Sequence, residues 1–398
     1  MHNAPTPSVH DTAAPSASAF AATLAEWPAV RVRAVQAACT EADVRAALAG
    51  SLRPERALAA LLSPAAAPHL EAMARRSAAV TRQRFGRVMQ FYAPLYVSNV
   101  CINSCTYCGF NCKNQVARRR LTVDEAVREA DYLANEGFRH LLLVAGEDPK
   151  GVPVSYFEEL AGRLLGRFSS IGIEIYPMPE ADYTRLVAAG VDLLTLYQET
   201  YDETLYSSLH PAGPKRDFHN RLAAIERGAR AGIAFLGVGA LQGLSDWRVE
   251  NFHVGLHALW LQKEFWRSSV SVSFPRIRPA AGAFQPPVTV SDRDFVQTLC
   301  ALRIVLPDAG LVLSTREPAA LRDRLALLGV TRMSAGSRTS PGGYGTADSG
   351  GESEGQFAIA DERGLAEMKQ VVAGLGFDPV CKDWDPAYHA AAASAEVE

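Results

Sequence analysis

Four of the chain's seven cysteines fall in the single stretch VSNVCINSCTYCGFNC, residues 97–112. Cys101, Cys105 and Cys108 stand in a C-x3-C-x2-C spacing, and Cys112 follows four residues later. Close thiolates are soft ligands, suited to iron–sulfur clusters or to zinc. A structural zinc ion closes its shell with four ligands, and Cys112 would then be the fourth. A 4Fe–4S cluster held by three cysteines alone would keep one iron open to bind and activate a second molecule. The other cysteines offer no such grouping. Cys39 and Cys300 lie in helical patterns and read as core, and the nine histidines show no metal-ligand spacing.

More polar residues stand where apolar runs end. Gly146 ends HLLLVAG and Glu147 follows it, Gln198 and Glu199 close LLTLYQE, and Arg276 lies near the end of SVSVSFPRI with Arg278 just after it. Arg316 closes LVLSTRE, and Ser334 and Ser337 lie in TRMSAGS. With APLYVSN, GIEIYPM and AFLGVGAL these make eight candidate strands between residues 93 and 337. Helical patterns separate them. In TVDEAVREADYLANEG, Thr122 and Glu125 form a capping box, Val123, Val127, Ala130 and Ala134 form an apolar stripe, and Gly137 ends the helix. KRDFHNRLAAIERGARAG repeats the stripe with Phe218, Leu222, Ile225 and Ala229. Strands alternating with such helices pair in parallel, and eight units predict an α/β fold of the (β/α)8 TIM-barrel type, with an open doubly wound sheet as the alternative. A barrel gathers chemistry at the C-terminal ends of its strands, where these polar residues fall.

The expected organisation is a disordered tail over residues 1–22, an N-terminal helical extension over 23–90, and the barrel with a closing segment over 91–390. Forty basic and 43 acidic side chains give a formal −3, which argues against nucleic acid or a membrane surface as partner. No apolar run approaches the roughly 18 residues needed to span a bilayer, and the N-terminus lacks a basic segment followed by an apolar core. A cytoplasmic protein is expected, where clustered thiols serve metals or catalysis rather than disulfides.

The cysteine spacing, with aromatic Tyr107 before the last thiol, resembles the signature of radical S-adenosylmethionine (SAM) enzymes. That resemblance implies a 4Fe–4S cluster on Cys101, Cys105 and Cys108, with SAM chelated to the open iron and cleaved to a 5′-deoxyadenosyl radical. It puts Tyr107 near the adenine. It makes Ala145-Gly146-Glu147 a partial version of the Gly-Gly-Glu segment that grips the SAM amino group. It gives Arg221 to the SAM carboxylate. Longer motifs narrow it: LYQETYDETLY, HPAGPKRDFHNRL, GVGALQGLSDWRVE, SAGSRTSPGGYG and KDWDPAY resemble the 2-iminoacetate synthase family, the tyrosine lyases of thiamine thiazole biosynthesis, over roughly residues 85–390.

The implied reaction breaks the Cα–Cβ bond of L-tyrosine, leaving 2-iminoacetate and p-cresol. The family implies thiazole synthase as a partner and a flavodoxin or ferredoxin as electron donor. The substrate carboxylate calls for a fixed cation, for which Arg316 is the choice, with hydrogen bonds from Ser334 and Ser337. Gln198 and Glu199 are assigned to SAM or to the substrate amine. Cys300 and Cys381 are the only later cysteines, with no C-x2-C pair, which argues against the cyanide and carbon monoxide chemistry of a hydrogenase-maturation cousin. Residues 342–357 are glycine-rich, either a solvent-excluding lid or a surface loop. A radical SAM enzyme acting on another aromatic substrate and a zinc-stabilised binding protein are the competing readings.

Overall fold

The computed structural model describes residues 17–345 and 355–381. Residues 1–16, the tip of the glycine-rich run at 346–354 and the KDWDPAY segment lie outside the described residues. Eight strands form the barrel: β1 Val88–Ser98, β2 His140–Ala145, β3 Ser170–Glu174, β4 Leu193–Thr195, β5 Phe235–Gly239, β6 Ser269–Ser273, β7 Gly310–Leu313 and β8 Arg332–Ser334. Each pairs in parallel with the next, and β1 pairs with both β2 and β8, so the sheet closes. The open-sheet alternative is thereby excluded. A ninth strand, β9 Asp378–Val380, was not expected; it pairs in parallel with the first residues of β1, below the β1–β2 ladder.

The helix Val123–Glu136 starts and stops as its sequence predicts. The Thr122–Glu125 capping box is formed, and Gly137 takes the left-handed conformation at φ 102°. The helix Phe218–Arg230 is capped by Asp217 and buries Phe218, Leu222 and Ile225. Strand residues alternate between two buried faces. Ile171 and Ile173 pack outward against helices, while Thr195, Gly237, Ser271 and Ser273 line a small space inside the barrel. Small and hydroxylated inner residues share that space with the branched side chains of Leu142, Leu193 and Val312.

The N-terminal extension is helical, but it begins earlier than the sequence suggests. The first helix is Phe20–Glu26, which starts three residues inside the stretch 1–22 expected to be a disordered tail. Phe20 is fully buried and stacks on His257 with ring centroids 4.2 Å apart, and Glu226 accepts from the Ser18 hydroxyl and the Ala19 amide. One aromatic in an Ala/Ser-rich segment is enough to anchor it when a cavity receives the ring. The rest of the extension crosses the outer helices, with Gln297 donating to the carbonyls of Leu61 and Ser63 and Ser77 to that of Leu328.

Candidate active site

The cysteine loop leaves β1 through a bulge. Tyr96 pairs with Val144 and Ser98 with Ala145, so Val97 is an extra residue that re-aims the chain. Arg118 then pins the loop, donating to the carbonyls of Asn99 at 2.7 Å, Phe110 at 3.0 Å and Asn111 at 2.6 Å. A planar guanidinium can satisfy several loop carbonyls at once. Two flanking turns come close only because they carry glycine. A Cβ on Gly146 would lie 2.3 Å from the Val100 carbonyl oxygen, and one on Gly213 would lie 2.3 Å from Asn103 Oδ1. Asn103 joins the three segments: its Nδ2 donates to Glu147 Oε2 at 2.6 Å and its Oδ1 accepts the Lys215 amide at 2.9 Å.

Burial pushes the Cys105 thiol up to about 12 and raises Cys108, and the neighbouring thiols add to both shifts. Such thiols keep their protons until a cation replaces them. The Cys101 sulfur accepts the Asn103 amide at 3.5 Å, and the Cys108 sulfur accepts from Gln356 Nε2 at 3.8 Å. A structural zinc ion would need a fourth ligand beside Cys101, Cys105 and Cys108. A multi-iron cluster instead takes its thiolates at separate corners. Cys112 is exposed and turned away, its amide bonded to the Asn103 carbonyl.

Two adjoining cavities open at this end of the barrel, and Glu174, Tyr197, Pro275, Arg316 and Phe357 line both. The first reaches Tyr107, Cys108, Glu199 and Lys215. The second reaches Tyr92, Tyr96, Leu142, Val144, Ser334 and Ser337.

On the cysteine side, Glu199 holds a left-handed backbone at φ 70°, the only non-glycine to do so among the described residues. Lys215 Nζ lies 2.7 Å from its Oε1, and an Arg221 nitrogen lies 3.7 Å from the same atom. Burial raises the Glu199 carboxyl, but the Lys215 and Arg221 cations outweigh it and hold the group below its ordinary value. Arg221 also donates to the Tyr197 carbonyl at 2.6 Å, so it backs the site and does not line it. Tyr107 bonds His210 Nε2 at 2.8 Å, and His210 Nδ1 lies 2.8 Å from the Tyr206 carbonyl. The carbonyl can only accept, so Nδ1 carries the proton and Nε2 accepts the Tyr107 hydroxyl.

On the other side, Arg316 lies 3.3 Å from the centroid of the Phe357 ring. Its sequence neighbour Glu317 is taken by Arg276, and no ion pair joins Arg316 among the described residues. The Ser337 hydroxyl is buried with no hydrogen-bond partner among the described residues. The Ser334 hydroxyl accepts the Thr315 amide at 3.1 Å and bonds Tyr92. Glu174 makes no ion pair among the described residues; burial and the Glu199 charge lift its carboxyl to about 7, against the pull of Arg316.

The sequence-predicted residues therefore separate. Cys108, Tyr107, Glu199, Arg316, Ser334 and Ser337 meet at the cavities. Gln198 does not; its amide donates to the Phe218 carbonyl at 3.3 Å. Gly146 and Glu147 support the cysteine loop from behind, and Arg276 ties β6 to Glu317 and Asp292. Glu174, Lys215, Tyr197 and Asn103 were missed. The run GIEIYPM did contain a signal for Glu174: the flanking Ile173 and Ile175 are buried outward, so the carboxylate between them faces the barrel interior.

Residues 95–253 match the radical SAM superfamily, and residues 273–378 match the biotin and thiamin synthesis associated domain. The chain is 44% identical over 361 residues to the 2-iminoacetate synthase of Escherichia coli, covering 90% of this chain and 94% of that protein. The chain belongs to the 2-iminoacetate synthase family of radical SAM enzymes. Its structure is similar to crystal structures of the FeFe-hydrogenase maturase HydG. One superposes with a TM-score of 0.83 at 30% identity over 89% of this chain and 79% of that one. The other, from Carboxydothermus hydrogenoformans, gives 0.78 at 34% identity over 90% and 82%. In this 2-iminoacetate synthase family member the two matched regions divide the site. The first carries the cysteine loop, Glu174 and Glu199, and the second carries Arg316, Ser334 and Ser337.

Proposed function

We propose that this chain cleaves the Cα–Cβ bond of L-tyrosine to 2-iminoacetate and p-cresol, and that the imine passes to a thiazole synthase making the thiamine thiazole. The observation that carries this reading is the pair of adjoining cavities that joins Cys108 of the cysteine loop to Arg316 and Glu174, which make no ion pair among the described residues, and to the Ser337 hydroxyl, which has no hydrogen-bond partner among them. Cys101, Cys105 and Cys108 fit a 4Fe–4S cluster, since Cys105 is buried, Cys101 and Cys108 are half-buried, and the three thiols lie near enough to act on one another electrostatically. Bound there with SAM, the cluster supplies the 5′-deoxyadenosyl radical that takes a hydrogen atom from the substrate.

The chain's own residues do the rest. Tyr107, with its hydroxyl committed to His210, offers a ring edge and face for the SAM adenine. Glu199 has one oxygen held by Lys215, which leaves the other for the SAM hydroxyl or ammonium groups. Arg316, flattened on Phe357, presents its fork to the tyrosine carboxylate, and Ser337 donates a further bond. Glu174 faces the same space and takes the substrate ammonium, accepting one of its protons so that a neutral amine meets the radical. Leu142, Val144 and Tyr96 leave an apolar slot for the aromatic ring.

The test is anaerobic. Protein reconstituted with iron and sulfide receives SAM, dithionite and L-tyrosine, and 5′-deoxyadenosine, p-cresol and glyoxylate from imine hydrolysis are measured. All three are expected. Neither deoxyadenosine nor p-cresol, from protein shown to hold a 4Fe–4S cluster, would overturn the assignment.

A further inference from the structure

The proposed reaction consumes two electrons and one proton per turnover. One electron breaks the C–S bond of SAM; the second, with the proton, converts the released 4-hydroxybenzyl fragment to p-cresol. Tyrosine itself divides into 2-iminoacetate and p-cresol with no atom left over, so both electrons come from an outside donor, which is oxidised by one electron at each visit.

The outer face of the cysteine loop has the chemistry to receive such a donor. Ile102, the residue next to Cys101, is 47% exposed. Three exposed turns hydrogen-bond to the backbone around it. The Ile102 amide donates to the Glu147 carbonyl at the start of the Pro149-Lys150 turn, the Ser104 amide donates to Ala212, and the Cys112 amide donates to Asn103. These turns carry Lys150, Arg216 and Lys113, all exposed and none in an ion pair among the described residues. Of the adjacent carboxylates, Asp148 is paired with Arg120, Glu147 is buried behind the loop on Asn103, and Asp217 alone faces outward, capping the Asn220 amide. A chain of formal charge −3 thus presents an excess of positive charge, three cations against the one exposed carboxylate of Asp217, around one apolar residue beside the cluster loop.

We propose that this face is the docking surface for an acidic one-electron donor protein such as a flavodoxin, with the edge of the donor's cofactor seated over Ile102 and Lys113, Lys150 and Arg216 steering its approach. The inference rests on the reading of the cysteine loop as a cluster site. Redox encounters are small and electrostatically steered, so three cations around an apolar centre suffice for a transient, salt-sensitive complex.

The test uses cluster-loaded protein and a bacterial flavodoxin. Binding is measured by biolayer interferometry at two ionic strengths, and product formation is driven in parallel by reduced flavodoxin or by dithionite. Reversing the ring with Lys113→Glu, Lys150→Glu and Arg216→Glu should weaken flavodoxin binding at low salt by at least about tenfold and slow the flavodoxin-driven rate to match. The dithionite-driven rate and the iron content should stay unchanged. Lys263→Glu with Arg267→Glu, which precede β6 at the opposite end of the barrel, should change none of these. Flavodoxin affinity unaffected by the ring reversal would overturn the proposal, as would an equal loss with dithionite. Failure of the cluster reading looks different, because wild-type protein would then form no product with dithionite.

Discussion

Replacing Glu174 by Gln should make the empty protein more stable and the enzyme nearly inactive. The carboxyl rises from an ordinary 4.5 to about 7, first because it is buried and then because Glu199 lies near. At about 1.4 kcal/mol per pH unit, keeping Glu174 ionised costs the folded chain at most about 3 kcal/mol. Water in the open cavity reduces this, so about 1–3 kcal/mol is the working range. The sign follows from linkage. Below about pH 4.5 the group is protonated in the folded and unfolded chains alike, and it costs nothing. Between pH 4.5 and 7 the unfolded chain releases the proton while the folded chain keeps it, so stability falls as pH rises; above 7 the penalty is constant. Glu174→Gln removes this dependence. In anaerobic melts of cluster-free protein, the variant's advantage should grow between pH 5 and pH 8 by a few degrees. In loaded enzyme the same change should cut kcat by about 100-fold or more, since the amide neither attracts the ammonium nor takes its proton. Wild-type kcat/KM should climb through about pH 7 and lose that limb in the variant. A variant that melts lower at pH 8, or shows the same offset at both pH values, would refute the account of Glu174 as a carboxylate held for a ligand.

Arg316→Lys keeps the charge but loses the fork, so tyrosine KM should rise by about 10- to 100-fold while the visible spectrum of the cluster is unchanged. Gly146→Ala puts a methyl group 2.3 Å from the Val100 carbonyl, which must move; iron per chain should drop and the protein should lose about 1–3 kcal/mol in chemical denaturation. Cys112→Ala should retain full iron and sulfide content, whereas Cys105→Ala should abolish it. Arg322→Met should destabilise the fold by about 3–5 kcal/mol, because Arg322 and Asp361 form a buried pair at 0% and 1% exposure that also ties the Ser334 carbonyl.

Most of the scaffold was legible in the sequence because its signals are local. The Thr122 capping box, the stop at Gly137 and the stripe from Phe218 to Ala229 depend on residues within a few turns of one another. The cysteine spacing is local in the same way. The first helix was hidden because Phe20 has no periodic partners in its own segment; what holds it is His257 and Glu226, far along the chain. β9 was hidden because three residues carry no period, and it exists only because the start of β1 has a free edge.

The parts of the site that escaped notice are those whose meaning is set by barrel closure. Glu199 looks available in the sequence, as the last residue of an apolar run, yet Lys215 and Arg221 arrive from the following loop and helix and neutralise it. Glu174 looks like a surface residue on an alternating strand, yet both faces of a barrel strand are covered, so its polar face can only be the interior. Arg316 sits beside a ready salt-bridge partner in Glu317, yet the chain turns Glu317 toward Arg276 and leaves Arg316 for the cavity. Among the described residues, two of the three groups nearest the proposed substrate, Glu174 and Arg316, thus make no ion pair, and the third, the Ser337 hydroxyl, has no hydrogen-bond partner. A fold that leaves a carboxyl, a guanidinium and a hydroxyl unsatisfied around one space loses stability in doing so. The loss is recovered only when a molecule bearing an ammonium and a carboxylate enters, which is the physical argument that the cavity is built for a free amino acid.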